Sequence, residues 1–298
     1  MKVENTARQI VLSENAMFAS LHIGQFSNVA KDRKLSRDLC REHGASDDAG
    51  KVMKQFFSRR DLAGITGVVS QLRSMNYHYT FELPKNGNGQ SRGPRLLPTR
   101  IAEEYLVAMH ELRDKFDDEV EKFVSNYDAK VDAQRVRLNG MFRESDYPSA
   151  DYVRECFSVD ISITGLPGVK DINVGQFTDE YKAQEAERQA KVVDEVGKQL
   201  AKRLHDAVKH LSETMAKDSG KVYDSVFGNV AELIDLIPGC NLGNDEGLQD
   251  LANKADALIK RAGSKPSDMA KAVKSASGVR SQIAAEAEAL ANKASSYF

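Results

Sequence analysis

The sequence contains no tryptophan and only three cysteines, Cys40, Cys156 and Cys240, which lie far apart. An odd number of cysteines without a CxxC pair fits neither a disulfide scaffold nor a zinc site, so we predict a reduced, cytoplasmic setting. The chain also lacks the run of about 18 apolar residues that a membrane-spanning helix needs. Its first twenty residues carry charges and lack the apolar core of a signal peptide.

A strong net charge is missing as well. Lys and Arg total 42 and Asp and Glu total 44, a net charge of −2, which argues against bulk attraction to nucleic acid or to anionic membrane. Motifs of catalysis are absent too: there is no HExxH, no GxSxG and no phosphate-binding glycine pattern. The six histidines do not cluster as metal ligands do. We therefore predict a protein that is not an enzyme and that needs neither metal nor cofactor.

What the chain does have is helical periodicity. Across residues 99–139 apolar positions recur every three or four residues, with charged residues between them and no Pro or Gly inside. The apolar positions are Ile101, Tyr105, Met109, Leu112, Phe116, Val120, Phe123, Tyr127 and Val131. This pattern predicts one helix of about forty residues, roughly 60 Å long. Thr99 is the predicted N-cap, since its hydroxyl can accept an unpaired backbone N–H.

A second long helix is predicted over residues 179–217. Its apolar stripe consists of Val192, Val196, Leu200, Leu204, Val208, Leu211 and Met215. Gly197 lies inside it and lowers the helix propensity by about 1 kcal/mol relative to Ala. Because each stripe needs a cover, we predict that the two long helices pack antiparallel as a hairpin or stalk.

Three short stretches, residues 19–23, 77–83 and 157–163, alternate apolar with polar residues, the period of a strand. One face of each is polar, which favours an antiparallel sheet of three strands. The remainder is predicted to be helical over residues 222–237, 244–262 and 267–298. The last of these has a narrow, Ala-rich stripe that fits close packing on a partner helix, of this chain or of another.

The predicted fold class is therefore mainly α. A long antiparallel helical hairpin or stalk carries a small three-stranded antiparallel sheet, and a C-terminal helical segment follows. Residues 1–217 would hold the helix pair with the sheet, and residues 218–298 the C-terminal segment.

A basic loop is the one stretch that suggests a binding site. Between Pro84 and Arg100 there is no acidic residue, and several Gly and Pro residues break regular structure. The basic residues are Lys85, Arg92, Arg95 and Arg100. They can contact phosphates or an acidic protein surface, and a solvated connector would have the same composition.

Several short segments resemble one known family. They are SLHIGQFS at 20–27 with RKL at 33–35, FVSNYD at 123–128, and YPS at 147–149 with Val153 and FSV at 157–159. In this order and spacing they resemble a phage and bacterial family called domain of unknown function 3150. The resemblance covers residues 19–215. It carries no catalytic residues, and it implies a role near a MoxR-type AAA+ ATPase, which members often have as a genomic neighbour.

Two classes of function fit these observations. The first is a non-enzymatic helical adaptor or assembly protein, of phage or bacterial origin, that binds a protein partner such as the AAA+ ATPase or a second copy of itself. The alternative is a nucleic-acid-binding protein of phage replication or recombination, suggested by the basic loop and by Arg135, Arg137 and Arg143. A self-assembling virion protein is a further possibility.

Overall fold

The computed structural model describes residues 12–84, 93–217, 223–263, 268 and 277–298. The strands in these ranges are β1 (Ala16–Gly24), β2 (Val29–Lys31), β3 (Met53–Gln55), β4 (Arg95–Pro98) and β5 (Ser158–Gly165). The α-helices are α1 (Leu12–Asn15), α2 (Arg33–Glu42), α3 (Ala63–Tyr79), α4 (Ala102–Ser125), α5 (Tyr127–Leu138), α6 (Ala150–Glu155), α7 (Thr178–Ala216), α8 (Asp224–Cys240), α9 (Glu246–Ala262) and α10 (Ser277–Ala294).

The chain divides into two compact units, and neither is continuous in sequence. Unit 1 comprises residues 1–19, 79–104 and 163–298, and unit 2 comprises residues 20–78 and 105–162. The division predicted after residue 217 is not one of these boundaries, because α8, α9 and α10 belong to the same unit as α7. The predicted class is confirmed in these features: the protein is mainly helical, with a long helix, a small three-stranded antiparallel sheet and a C-terminal helix. α7 has its cover within unit 1, in α8 and α10, the place that the predicted hairpin gave to the first long helix.

The three-stranded sheet has the order β4-β1-β5. β1 and β4 are antiparallel and pair Ala16 with Pro98 and Ala19 with Arg95. The strands predicted at residues 19–23 and 157–163 are both present, as β1 and β5. A separate two-stranded ribbon pairs β2 with β3.

The strand predicted over residues 77–83 is wrong. Tyr77 and Tyr79 end helix α3, whose buried residues Ile65, Val68 and Leu72 follow the helical period. Only Phe81 joins the sheet, through an isolated bridge to Leu96 in which each backbone N–H donates to the other residue's carbonyl at 2.8 Å. The third strand of the sheet is β4, which the sequence did not reveal.

The helix predicted over residues 99–139 is present, but it is interrupted. A 3₁₀ turn covers Thr99–Ile101 with Pro98 as its N-cap, so the predicted cap at Thr99 is wrong. α4 and α5 are separated at Asn126, whose side-chain amide donates to the carbonyl of Lys122 at 2.9 Å. Such a side-chain bond competes with the helical backbone pattern. The apolar stripe from Ile101 to Tyr127 is buried as predicted.

In unit 1 the helices α7, α8, α9 and α10 form a ring of contacts. α7 packs on α8 and α10, and α9 packs on the same two helices. The seven stripe residues of α7 are all buried, and so are Ile283, Ala287 and Leu290 of α10. The Ala-rich helix thus has a partner within its own chain. The N-cap of α9 is Asp245, whose carboxylate accepts from the backbone N–H of Leu248.

Side chains of α10 also bind the backbone of α7. The Arg280 guanidinium donates to the carbonyls of Thr214, Met215 and Lys217, which end the long helix without helical partners. Ser212 donates to the carbonyl of Ala284 at 2.9 Å. These bonds fix the position of α10 along α7, because each one joins a particular side chain to a particular carbonyl.

Two glycines of α8 provide a matched pair of substitutions. Among the described residues, a Cβ added at Gly228 meets no atom within 4 Å outside the nearby backbone of its own helix, whereas one added at Gly239 would lie 2.6 Å from Cγ2 of the buried Ile101. We expect Gly228→Ala to raise the free energy of unfolding by about 0.5–1 kcal/mol through helix propensity. We expect Gly239→Ala to lower it by about 1–3 kcal/mol through overpacking. Urea unfolding of both variants checks this, and a change of the same sign in the two would contradict it.

Candidate partner-binding cleft

Unit 2 is built around a cluster of aromatic rings with Phe57 at its centre. Phe57 is fully buried, and its ring contacts those of Phe123, Tyr127 and Tyr147 at centroid distances of 5.1, 5.6 and 5.6 Å. Phe26 lies on another side at 6.2 Å. These edge-to-face and tilted arrangements are the favoured geometries of aromatic pairs. The cluster is the core on which the surrounding loops of unit 2 are arranged.

The two tyrosines of the cluster, the buried Tyr127 and the half-buried Tyr147, are both hydrogen-bonded. Tyr127 donates its hydroxyl to the carbonyl of Pro148 at 2.8 Å, and Tyr147 donates to the carbonyl of Phe56 at 3.0 Å. Burial raises the pKa of Tyr127 to about 12. Both phenols are therefore neutral structural groups at physiological pH, and neither is poised for proton transfer.

A buried ion pair fixes β3 against the segment that follows α5. Lys54, 4% exposed, forms a salt bridge with Asp146 and donates to the carbonyl of Met141 at 3.1 Å. Asp32 lies nearby, 3.8 Å from Arg143. The backbone N–H of Leu35, which Asp32 caps, lowers the pKa of Asp32 more than burial raises it, and the charges of Arg143 and Lys54 lower it further. All these charges are compensated within unit 2.

Asp61 is a second charged residue that joins separate segments of unit 2. It accepts hydrogen bonds from the backbone N–H and hydroxyl of Ser58 and from the amide of Gln134, and it forms an ion pair with Lys130 at 3.5 Å. Burial raises the pKa of Asp61, but the Ser58 bonds and the Lys130 charge outweigh it and lower the pKa overall. The carboxylate therefore stays ionised and ties the start of α3 to α5.

Phe26 and Phe157 are two of the rings at which the aromatic cluster reaches the surface. Phe26 and Phe157 are half-buried; Phe26 contacts Phe56 at 6.1 Å, and Phe157 contacts Phe123 at 6.2 Å. Between them opens a cleft of about 430 Å³, which we call the aromatic cleft. It is lined by Gln25, Phe26, Asn28, Arg59, Leu62, Ile65, Thr66 and Phe157. Its volume lies within the range of about 300–1,000 Å³ that is typical of ligand pockets.

Two of the polar residues that line the aromatic cleft form hydrogen bonds within the protein. Asn28 accepts a bond from the backbone N–H of Phe57 at 2.7 Å and donates to the Phe57 carbonyl at 3.0 Å. Thr66 donates to the carbonyl of Leu62 within its own helix. Gln25 and Arg59 are exposed, and their side chains have no hydrogen bond or ion pair within the part of the chain that the structure describes. These two are the polar groups available to a ligand.

The predicted basic site does not form as one group. Lys85 and Arg92 lie outside the described residues. Arg95 belongs to β4, where it donates to the hydroxyl and carbonyl of Thr80 and to Glu82. Arg100 is exposed in the 3₁₀ turn before α4. Arg95 thus stabilises the sheet, and Arg100 is the described member of the set that faces solvent.

Arg95 has a buried neighbour that the sequence did not suggest. Arg203 of α7 donates to the same Thr80 carbonyl at 2.7 Å, and its guanidinium lies 4.5 Å from the centroid of the Phe81 ring. Burial and the like charge of Arg95 lower the pKa of Arg203 to about 10. Burial raises the pKa of nearby Cys240 to about 12, so this thiol is not a nucleophile at neutral pH.

The arginines that suggested a nucleic-acid role are held by unit 2. Arg137 donates to the carbonyls of Gln55 and Phe56, and Arg143 pairs with Asp32. Arg135 lies over the ring of Phe142 at 4.6 Å and pairs with acidic neighbours on the surface. These contacts within unit 2 account for all three arginines without a bound nucleic acid.

No group of three or more His, Cys, Asp or Glu residues within the described ranges is arranged to hold a metal ion. The sequence did not predict the aromatic cleft. Gln25 and Arg59 carry no local signal, because they join the cleft only through the fold.

A scan against protein-family models and searches of curated proteins and of solved structures found no match for this chain.

Proposed function

We propose that this protein is a non-enzymatic adaptor or assembly protein of the cytoplasm, and that the aromatic cleft of unit 2 binds its protein partner. The partner is a MoxR-type AAA+ ATPase, as the family resemblance implies, or a second copy of this chain. The observation that carries the proposal is a packed aromatic core that borders an open cleft between Phe26 and Phe157.

The composition of the aromatic cleft supports binding rather than catalysis. Its floor consists of Phe26, Phe157, Leu62 and Ile65, and its polar groups include no acid, base or thiol that could transfer a proton or attack a substrate. Partly exposed rings held in place by a packed core resemble the pre-organised anchor pockets that dominate the energy of protein interfaces.

A bulky residue on the cleft wall tests the proposal. Thr66 is exposed on α3, so Thr66→Trp fills the cleft without removing a core group, and Ser70→Trp makes the same kind of change one turn away, outside the cleft. We expect Thr66→Trp to weaken the complex with the neighbouring ATPase, or self-association, at least about tenfold, a loss of about 1.4 kcal/mol. Ser70→Trp should match the wild type. Sedimentation and calorimetry measure both; a wild-type monomer that binds no ATPase would overturn the proposal.

The nucleic-acid alternative stays a prediction with its own test. Among the described candidates it rests on Arg100, since the other arginines are engaged within their units. Binding to single-stranded DNA should weaken steeply with salt, because phosphate contacts release counterions. Sedimentation without DNA separates both ideas from a virion protein, which would form large particles.

A further inference from the structure

We infer that the aromatic cleft accepts an apolar side chain, aromatic or leucine-like, that is flanked by carboxylates in an acidic segment of the partner. This inference rests on the proposed function and adds the chemistry of the partner to it. Two independent features of the cleft support it, the shape and composition of its floor and the charge at its rim.

The floor selects an apolar anchor. Ile65 is 3% exposed and Phe26, Phe157 and Leu62 are half-buried, so the cleft ends on apolar atoms that water contacts poorly. An apolar side chain placed there removes apolar surface from water on both partners. A ring also gains edge-to-face contacts with Phe26 and Phe157. A volume of about 430 Å³ suits one or two side chains rather than a whole helix.

The rim selects negative charge. Arg59 is the one charged residue among those that line the cleft. The next acidic residue along the chain, Asp61, is already bound by Ser58, Lys130 and Gln134 and does not neutralise it. A carboxylate beside the anchor can form a bidentate pair with the Arg59 guanidinium, a charge-assisted bond stronger than a neutral one. Gln25 can bond the backbone of the bound segment.

Charge complementarity also separates this partner from the other candidates. A nucleic acid would supply the negative charge, and its bases could stack on Phe26 or Phe157, but they would leave the aliphatic part of the floor, Leu62 and Ile65, without an apolar side chain. A second copy of this chain would have to bring an exposed apolar residue next to carboxylates. Single-stranded DNA as a competitor of the peptide tests the first, and the effect of Thr66→Trp on self-association tests the second.

The test uses short fluorescein-labelled peptides with the full-length protein. One peptide has a single Phe between glutamates, a second has Ala in place of Phe, and a third has Phe between lysines. The protein variants are Arg59→Glu and, as a matched control, Arg60→Glu, which reverses the neighbouring exposed charge outside the cleft. Both sites are on the surface, so the variants are expected to fold. Fluorescence anisotropy gives the dissociation constants.

The acidic Phe peptide should bind, and either Phe→Ala in the peptide or Arg59→Glu in the protein should weaken it at least about tenfold. Arg60→Glu should change binding by less than about twofold, and rising salt should weaken it moderately, since the pair is partly exposed. Equal losses for Arg59→Glu and Arg60→Glu would mean diffuse attraction and would overturn the inference.

The remaining outcomes separate this inference from the proposed function. If the acidic and basic Phe peptides bind equally, the charge preference is wrong but the cleft still binds an apolar anchor. If no peptide binds while Thr66→Trp still weakens the complex with the ATPase, the acidic anchor is wrong and the proposed function stands. Displacement of the acidic peptide by single-stranded DNA, rather than by unlabelled peptide, would assign the cleft to nucleic acid and overturn the inference.

Discussion

Replacing Asp146 by Asn is expected to lower the free energy of unfolding by about 3–5 kcal/mol, the range for removing one partner of a buried ion pair. The change keeps the size of the side chain and an acceptor oxygen, but it removes the negative charge that faces the Lys54 ammonium, which is 4% exposed. Lys54→Met should cost less, about 1–2 kcal/mol, because Asp146 is 25% exposed and water can solvate its carboxylate. The difference between the two losses in free energy of unfolding reports how much more deeply Lys54 is buried than Asp146.

The control is the same substitution in an exposed pair. Asp256 forms a salt bridge with Lys260, and their side chains are 34% and 68% exposed. Asp256→Asn should change the free energy of unfolding by less than about 1 kcal/mol. Urea unfolding, monitored by tyrosine fluorescence, gives the free energies of unfolding of these three variants. The double variant Lys54→Met/Asp146→Asn is measured in the same way. A larger loss for Lys54→Met than for Asp146→Asn would show that burial of the lysine is not the controlling factor.

Replacing Phe57 by Ala is expected to lower the free energy of unfolding by about 3–5 kcal/mol, because it leaves a cavity at the centre of the aromatic cluster. Phe57 is fully buried, and four rings, those of Phe26, Phe123, Tyr127 and Tyr147, lie around it. The near-ultraviolet circular dichroism of the tyrosines should weaken as well, since no tryptophan contributes to it. Thermal unfolding and urea unfolding measure the loss of stability.

Phe142 provides the control for this prediction. Its ring stacks on Tyr147 at 5.0 Å and lies under Arg135, but it is half-buried at the edge of the cluster. Phe142→Ala should cost about 1 kcal/mol, since it loses one ring pair and one cation–π contact. Similar losses for Phe57→Ala and Phe142→Ala would contradict a core centred on Phe57.

The helices could be predicted from sequence because their signal is local and long. The stripe from Ile101 to Tyr127 and the stripe of α7 repeat over many turns, and both are buried as the period requires. The interruption at Asn126 depends on a single side-chain bond, which no hydrophobic period reports. The alternation of Tyr77, Tyr79 and Phe81 was too short to separate a strand from the end of a helix, so α3 was missed there.

The partners of each element could not be predicted in the same way. The stripe of α7 is covered within unit 1 by α8 and α10, and periodicity alone does not choose between possible covers. Arg95 has the composition of a phosphate-binding residue, yet the fold brings Thr80 and Glu82 to its guanidinium. The aromatic cleft joins residues from 25 to 157 in the sequence, and no local pattern connects Gln25 or Arg59 to Phe157.

The interleaving of the two units has a consequence for synthesis of the chain. Unit 2 ends at Ser162, so all of its residues emerge from the ribosome before those of α7, which begins at Thr178. The aromatic core can therefore close early. Unit 1 must wait for α10, because the stripe of α7 is covered only when the last helix has emerged. During that interval the nascent protein carries a finished half that can engage a partner and an unfinished half that a chaperone would have to shield.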